Sequence, residues 1–287
     1  MYQERRIRQS ELLQLIILDN LYAQSGSDQI VFQGGTALRW VYGGMRFSED
    51  LDFVTHLTQD LIESVLEKSH TKTVRSCMAQ FGPGSADRQI KKSRKSAYKT
   101  MFVYRPENQR ERIAVRLEFE MLQRESQPTY ERFILRECPQ VGGLIAGGQL
   151  LLPYSSSIIL AETPEEILSD KIRALLERRY LKGRDIYDIW WIVNQMGIKP
   201  SWPLVKSKLS MYEARFVPAR KAEYFQTNDT AEEMIHALDS DLARFIPQNI
   251  FSLYRKEHFK RFIQTLKDVT RALLDQGMRE YFEAQVR

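Results

Sequence analysis

The sequence predicts an α+β protein, with a mixed-sheet core followed by a mainly helical second half. Two observations carry this prediction. Between residues 72 and 135 apolar and polar positions alternate, most strictly in Ile113–Met121, where Ile113, Val115, Leu117, Phe119 and Met121 share one face. Beyond Thr163 the apolar spacing becomes helical and stays so to the end. The pattern changes near 145–163, which suggests two domains. Residues 1–150 would form the core domain, and 151–287 a helical domain completing a cleft. A chain of 287 residues is long enough for two such cores.

The elements follow in order. Leu12, Leu13, Ile16, Ile17 and Leu21 predict a first helix over residues 9–21. Ile30-Val31-Phe32 reads as a short buried strand running into Gln33-Gly34-Gly35-Thr36, and 37–42 as one or two helical turns stopped by Gly43-Gly44. Leu51–Val54 reads as a strand, and 58–68 as a helix capped by Thr58. Strands are expected at 73–81, 97–105, 113–121 and 130–135. A short apolar run, Ser157 to Ala161, precedes a helix with Thr163 as N-cap, Pro164 as first residue and Glu166 completing a capping box. That helix runs to about Arg179, and a second follows from Arg184 to Met196 after a break at Leu181-Lys182-Gly183. Trp190-Trp191 reads as packing within this second helix.

Composition excludes several classes. No apolar run approaches 18 residues, so no transmembrane helix is expected, and the N-terminal residues lack the apolar core of a signal peptide. Cys77 and Cys138 match no zinc or redox spacing, and the four histidines show no ligand spacing. A soluble, cytoplasmic protein is the expectation. Net charge is +5, but residues 88–116 alone carry ten Lys/Arg against two Glu, so the remainder is net negative. The cluster Lys91, Lys92, Arg94 and Lys95 reads either as a seat for RNA phosphates or as a solvated edge.

Chemistry concentrates at Asp50 and Asp52, two apart on a strand and so on one face. Two adjacent carboxylates repel unless a cation sits between them, and magnesium favours one or two carboxylates plus phosphate oxygens. Upstream, Gly34-Gly35 permits close backbone approach to an anion, and the Thr36 hydroxyl could bond a phosphate oxygen. Downstream, Lys171 and Asp185 lie on successive helices, and Asp188 shares the face of Asp185. A compact ammonium suits a triphosphate, and an inter-helix ion pair is the competing explanation.

Gln33-Gly34-Gly35-Thr36-Ala37-Leu38-Arg39 followed by Arg46-Phe47-Ser48-Glu49-Asp50-Leu51-Asp52-Phe53 resembles the signature of the AbiEii/AbiGii toxin family. That family includes the MenT-like toxins and lies within the DNA polymerase β-like nucleotidyltransferase superfamily. Glu165–Ala174 and Arg184-Asp185-Ile186-Tyr187-Asp188 supply a second match, with Asp170 where glutamate is usual. The resemblance implies a metal-dependent transfer of a nucleoside monophosphate from an NTP to an acceptor. The tRNA 3′ end is the expected acceptor and growth arrest the outcome, with a cognate antitoxin as partner. It implies catalytic roles for Asp50, Asp52, Lys171 and Asp185. Gly34, Gly35, Thr36, Arg46, Ser48 and Lys171 would bind phosphates. Two Mg2+ ions, or Mn2+, would sit on Asp50 and Asp52. A third carboxylate on a later strand is implied, Glu118 or Glu120, with Glu118 preferred as nearer the strand's middle. Rival readings keep the site but change the acceptor to a small molecule or protein side chain, or make the chain a non-catalytic binder on a transferase scaffold. Residues 200–287 match nothing in the family pattern position by position.

Overall fold

Strands form around each of the apolar segments at 30–32, 51–54, 97–105, 113–121 and 130–135 in the computed structural model, which describes residues 2–91, 95–152, 157–227 and 229–286. The chain divides into two compact units. The first comprises Met1–Glu162 with Tyr212–Ala214, and the second Thr163–Met211 with Arg215–Arg287.

The first unit contains α1 (Tyr2–Tyr22), β1 (Ile30–Gln33), α2 (Gly34–Trp40), β2 (Asp50–Thr55), α3 (Gln59–Phe81), β3 (Gly84–Ile90), β4 (Ala97–Pro106), β5 (Ile113–Met121), β6 (Tyr130–Ile134), α4 (Pro139–Ala146) and β7 (Ile158–Glu162). Its seven strands lie in the order β3-β4-β5-β2-β1-β7-β6. The sheet is mixed: β2 pairs in parallel with β5, and β1 with β7, while the other pairings are antiparallel. β7 comes from beyond position 150, yet it belongs to this sheet through its pairing with the buried strand β1. Tyr212–Ala214 also returns here, with a bridge from Tyr212 to Leu122 and a bond from the Glu213 amide to the Met121 carbonyl.

Strand alternation decides what each sheet face carries. Phe32, Phe53 and Phe119 are mutual register partners on β1, β2 and β5. The Phe53 ring lies 5.5 Å from Phe32 and stacks on Phe119 at 4.8 Å. Tyr98 and Phe102 of β4 share this face, where His70 of α3 meets Phe102, and α1 packs against α3. The even-numbered residues of β2 and β5, Asp50, Asp52, Arg116, Glu118 and Glu120, therefore point to the opposite face.

Two local expectations are corrected. Residues 73–81 form no strand, because α3 continues through them. Ile62, Val65, Leu66, Ser69, Thr73 and Cys77 are buried at helical spacing on one stripe, which outweighs the short alternation. Thr58 caps α3 by accepting from the Leu61 amide, and Gly82 ends it at φ +88°. The strand preceding β4 is instead β3, on the sheet's edge. Secondly, α2 spans Gly34–Trp40, starting three residues before the expected 37–42 segment and ending two residues earlier.

The second unit is helical: α5 (Pro164–Glu177), α6 (Gly183–Gln195), α7 (Trp202–Met211), α8 (Ala231–Phe245), α9 (Gln248–Lys256), α10 (Lys260–Asp275) and α11 (Met278–Val286). Thr163 is the α5 N-cap and Pro164 its first residue, but the Thr163 side chain makes no capping bond. Glu166 is buried and salt-bridged to Lys208, so the capping box does not form. Trp190 packs edge-on against Phe262 and Tyr254, and Trp191 is also buried. Among the described residues no helix is long and apolar enough to cross a membrane.

Phe53 is fully buried between two rings on adjacent strands, so Phe53→Ala should cost about 3–5 kcal/mol. Urea unfolding of the purified variant measures this loss.

Candidate active site

Register brings the acidic residues together. Asp52 lies directly opposite Glu118, and Asp50 opposite Arg116, across the parallel β2–β5 pair. Glu120 pairs with Val54, one step further along, so Glu118 and not Glu120 is the β5 carboxylate beside Asp52. Protein cations meet two of these carboxylates. Arg116 Nε donates to Asp50 Oδ1 at 3.2 Å and Nη2 to Oδ2, while Nε also lies 2.9 Å from Glu118 Oε1. Lys99 of β4 salt-bridges the other Glu118 oxygen. Arg116 and Lys99 are 43% and 41% exposed, and Asp50 and Glu118 about half as much. The cations are thus the more exposed partners on the acidic surface.

The glycine turn sits against this face. Gly34 has φ +76°, a conformation that disfavours side chains, and a Cβ there would lie 3.1 Å from Asp52 Oδ2. At Gly35 a Cβ would fall 1.9 Å from Arg46 Nη2, so the guanidinium occupies the space that a side chain there would take. Arg46 is buried and donates to the Phe47 carbonyl at 2.9 Å. Thr36 is fully buried, with its hydroxyl on Ser48 Oγ at 2.6 Å and on the Asp50 carbonyl. The Gln14 amide donates to the Ser48 carbonyl at 2.8 Å. The Thr36 hydroxyl thus ties both Ser48 and the Asp50 carbonyl at the start of β2 to α2. A cavity of about 900 Å³, lined by Arg39, Trp40 and Phe47 among others, lies elsewhere in this unit and includes none of the three carboxylates.

In donor chemistry the residues fit a divalent ion, since three carboxylates supply the hard oxygen ligands that magnesium takes. Their side chains are not gathered for it: among the described residues no group of three His, Cys, Asp or Glu is arranged to hold a metal. Asp50 and Glu118 are turned instead to Arg116 and Lys99.

The basic segment separates into two classes. Arg88 is largely buried and bridges Glu63 and Glu67 of α3, with Tyr98 donating to the same Glu63. Arg105 pairs with Asp87, and Lys99 and Arg116 serve the acidic face. Lys91 and Lys95, at the β3–β4 connection, are exposed. Lys92 and Arg94 lie outside the described residues.

In the second unit α5 packs against both α6 and α7, and its adjacent residues Asp170 and Lys171 face different partners. Lys171 Nζ lies 2.9 Å from both Asp185 and Asp188 on α6, and Arg178 also reaches Asp185. Asp170 and Glu166 clasp the fully buried Lys208 of α7 at 2.7 and 2.9 Å. Burial opposes the charged form of Asp185, but the Lys171 and Arg178 charges outweigh it and hold the carboxyl well below the usual range.

A family profile described as the nucleotidyl transferase AbiEii toxin of type IV toxin–antitoxin systems matches residues 16–284. The chain belongs to the AbiEii family. It is a nucleotidyltransferase toxin, and AbiEii membership brings a nucleotide substrate and a cognate antitoxin. Two Helicobacter pylori structures share its fold. JHP933 is 17% identical with a TM-score of 0.53, covering 99% of both chains. A candidate nucleotidyltransferase is 17% identical with a TM-score of 0.51, covering 98% of both. No curated protein sequence matches the chain significantly.

Sequence reasoning on this AbiEii chain missed Arg116 and Lys99 as partners of the acids, and Lys208 altogether. Arg116 stood two positions from Glu118 on the same strand face, which was a usable signal. Lys208 had none, since α7 lies far along the chain from Glu166.

The Lys171 cluster is buried, at 13% exposure for the lysine and 5% or less for its acids. Lys171→Ala should cost about 3–5 kcal/mol at neutral pH, because it leaves buried carboxylates undercompensated. Asp185 has a depressed folded pKa. Its contribution is complete above the unfolded value of about 3.9 and is lost as pH falls below it. Urea titrations of both proteins at pH 7 and pH 3.5 should show the gap narrowing in acid, where the variant's Asp185 takes up a proton and is relieved.

Proposed function

We propose that the acidic face of the β2–β5 pair is the transfer site. There an acceptor hydroxyl attacks the α-phosphorus of an NTP, the new O–P bond forms, and the bond to pyrophosphate breaks. The observation that carries this reading is Asp50, Asp52 and Glu118 in register on one sheet face, beside the positive-φ turn at Gly34. Asp50 and Asp52, with Glu118, would hold magnesium, two ions by the resemblance, and manganese oxygen chemistry suits the same donors. Bound there, the metal would lower the acceptor hydroxyl's pKa and neutralise phosphate charge.

The chain's own residues prepare that surface. Gly34 brings backbone close to Asp52, and Arg46 lies over Gly35 as a buried cation beside the turn. Thr36, bonded to Ser48, keeps the first residue of β2 in place. The resemblance assigns Lys171 to the triphosphate, and its pairing with Asp185 and Asp188 holds the ammonium in a fixed position on α5. RNA, with the tRNA 3′ end as acceptor, is the substrate that the exposed Lys91 and Lys95, together with Lys92 and Arg94, suit by charge.

The deciding measurement is transfer of label from each α-labelled NTP to bulk tRNA, with and without magnesium. Asp52→Asn should abolish transfer while keeping the far-ultraviolet circular dichroism and melting temperature of the parent. Substantial magnesium-dependent transfer by that variant would remove the acidic face from the chemistry.

Replacing Lys91, Lys92, Arg94 and Lys95 with Gln should weaken tRNA binding and flatten its salt dependence by about 0.7–0.9 in slope per lost phosphate contact. NTP affinity should stay unchanged. An unaltered slope, read by filter binding from low to high salt, would assign these charges to a solvated edge.

A further inference from the structure

We propose that Arg116 competes with divalent metal for Asp50 and Glu118 and, once displaced, serves as a phosphate-binding residue for the nucleotide. The inference rests on the metal reading above. Arg116 bridges carboxylates of both strands, with two bonds to Asp50 and a third approach to Glu118. These are the oxygens that the metal would need. A guanidinium fork matches a carboxylate bidentately, so its grip on Asp50 is directional as well as electrostatic.

Charge arithmetic links metal, arginine and nucleotide. Asp50, Asp52 and Glu118 carry three negative charges, and Arg116 and Lys99 return two positive ones. A divalent ion would turn this small surplus of negative charge into a surplus of positive charge. Two ions would do so more strongly. Either the guanidinium withdraws or a polyanion arrives, and the geometry allows both. Arg116 is 43% exposed at its side chain while its backbone is held in the β5 ladder, so the fork can leave Asp50 without disturbing the strand. Freed, it presents up to five donors beside the acidic face, in a shape that suits phosphate as well as carboxylate. Metal and triphosphate should therefore bind cooperatively through this one residue. Lys99 salt-bridges Glu118 and lacks the fork, so it does not share the double role.

The test is Mn2+ binding to the chelator-treated full chain, followed by isothermal titration and by the loss of the free-ion paramagnetic resonance signal. Arg116→Gln should bind Mn2+ about tenfold more tightly without nucleotide, because a full charge in contact with the ligand oxygens has gone. In saturating Mn2+ the same variant should bind a non-hydrolysable NTP at least about tenfold more weakly, from loss of a charge-assisted phosphate contact. Arg116→Lys keeps the charge without the fork and should fall between the two proteins on both measures, which also covers any misfolding of the Gln variant. Equal or weaker Mn2+ binding by Arg116→Gln, with wild-type binding still abolished by Asp52→Asn, would overturn this inference and leave the metal reading standing. Absence of any Asp52-dependent Mn2+ binding in all variants would overturn both.

Discussion

The in-register parallel pairing of β2 with β5 places Phe53 on Phe119 and Asp52 beside Glu118 at the same time. Because side chains alternate along a strand, one register sets both the helix-covered core and the acidic face behind it. A slip of one residue would put the carboxylates under α1 and α3 and the phenyl rings in water, a double penalty that leaves a single acceptable pairing. The aromatic row thus does more than stabilise. It fixes the relative height of two strands, and with it the separation of the acids that they carry.

The two units handle their acidic residues differently, and burial is the reason. On the sheet, Asp50 and Glu118 are met by side chains that are close to half exposed, so partners can be exchanged at small electrostatic cost. In the second unit, Lys171 and Lys208 are enclosed with their carboxylates by three packed helices. There each charge depends on its partner, and losing one strands the others in a low-dielectric setting. Alternating partners along α5, Asp170 to α7 and Lys171 to α6, pin its rotation and so the direction in which Lys171 presents its ammonium.

Around α2 the short side chains act on backbone. The Thr36 hydroxyl lies within hydrogen-bond reach of Ser48 Oγ and of the Asp50 carbonyl, and Gly35 is bare because Arg46 occupies the space of its side chain. The pattern of small and hydroxyl residues next to the acidic pair meets a packing need at Gly35, Thr36 and Ser48. At Gly34 it is explained by backbone conformation, where φ is positive and Asp52 is close.

Much of this was legible in the residues themselves. Strict alternation from Ile113 to Met121 specifies a strand with two unlike faces, and the two-residue spacing of Asp50 and Asp52 specifies that they share one, since period two is a local property of extended backbone. The α5 N-terminus at Thr163-Pro164 and the break between α5 and α6 were equally local. Long-range partnership was not. Alternation left Glu118 and Glu120 equivalent, and only the register of β5 on β2 distinguishes them. The run at 73–81 satisfied a strand pattern over a few residues, but the stripe from Ile62 to Cys77 needed a sheet and α1 to pack on before helix became the lower-energy choice. Likewise a sequence counts Arg116 and Arg88 simply as positive charge. Which carboxylate neutralises each depends on strands and helices that are distant in the chain, so tertiary structure alone decides which cations remain to meet another molecule.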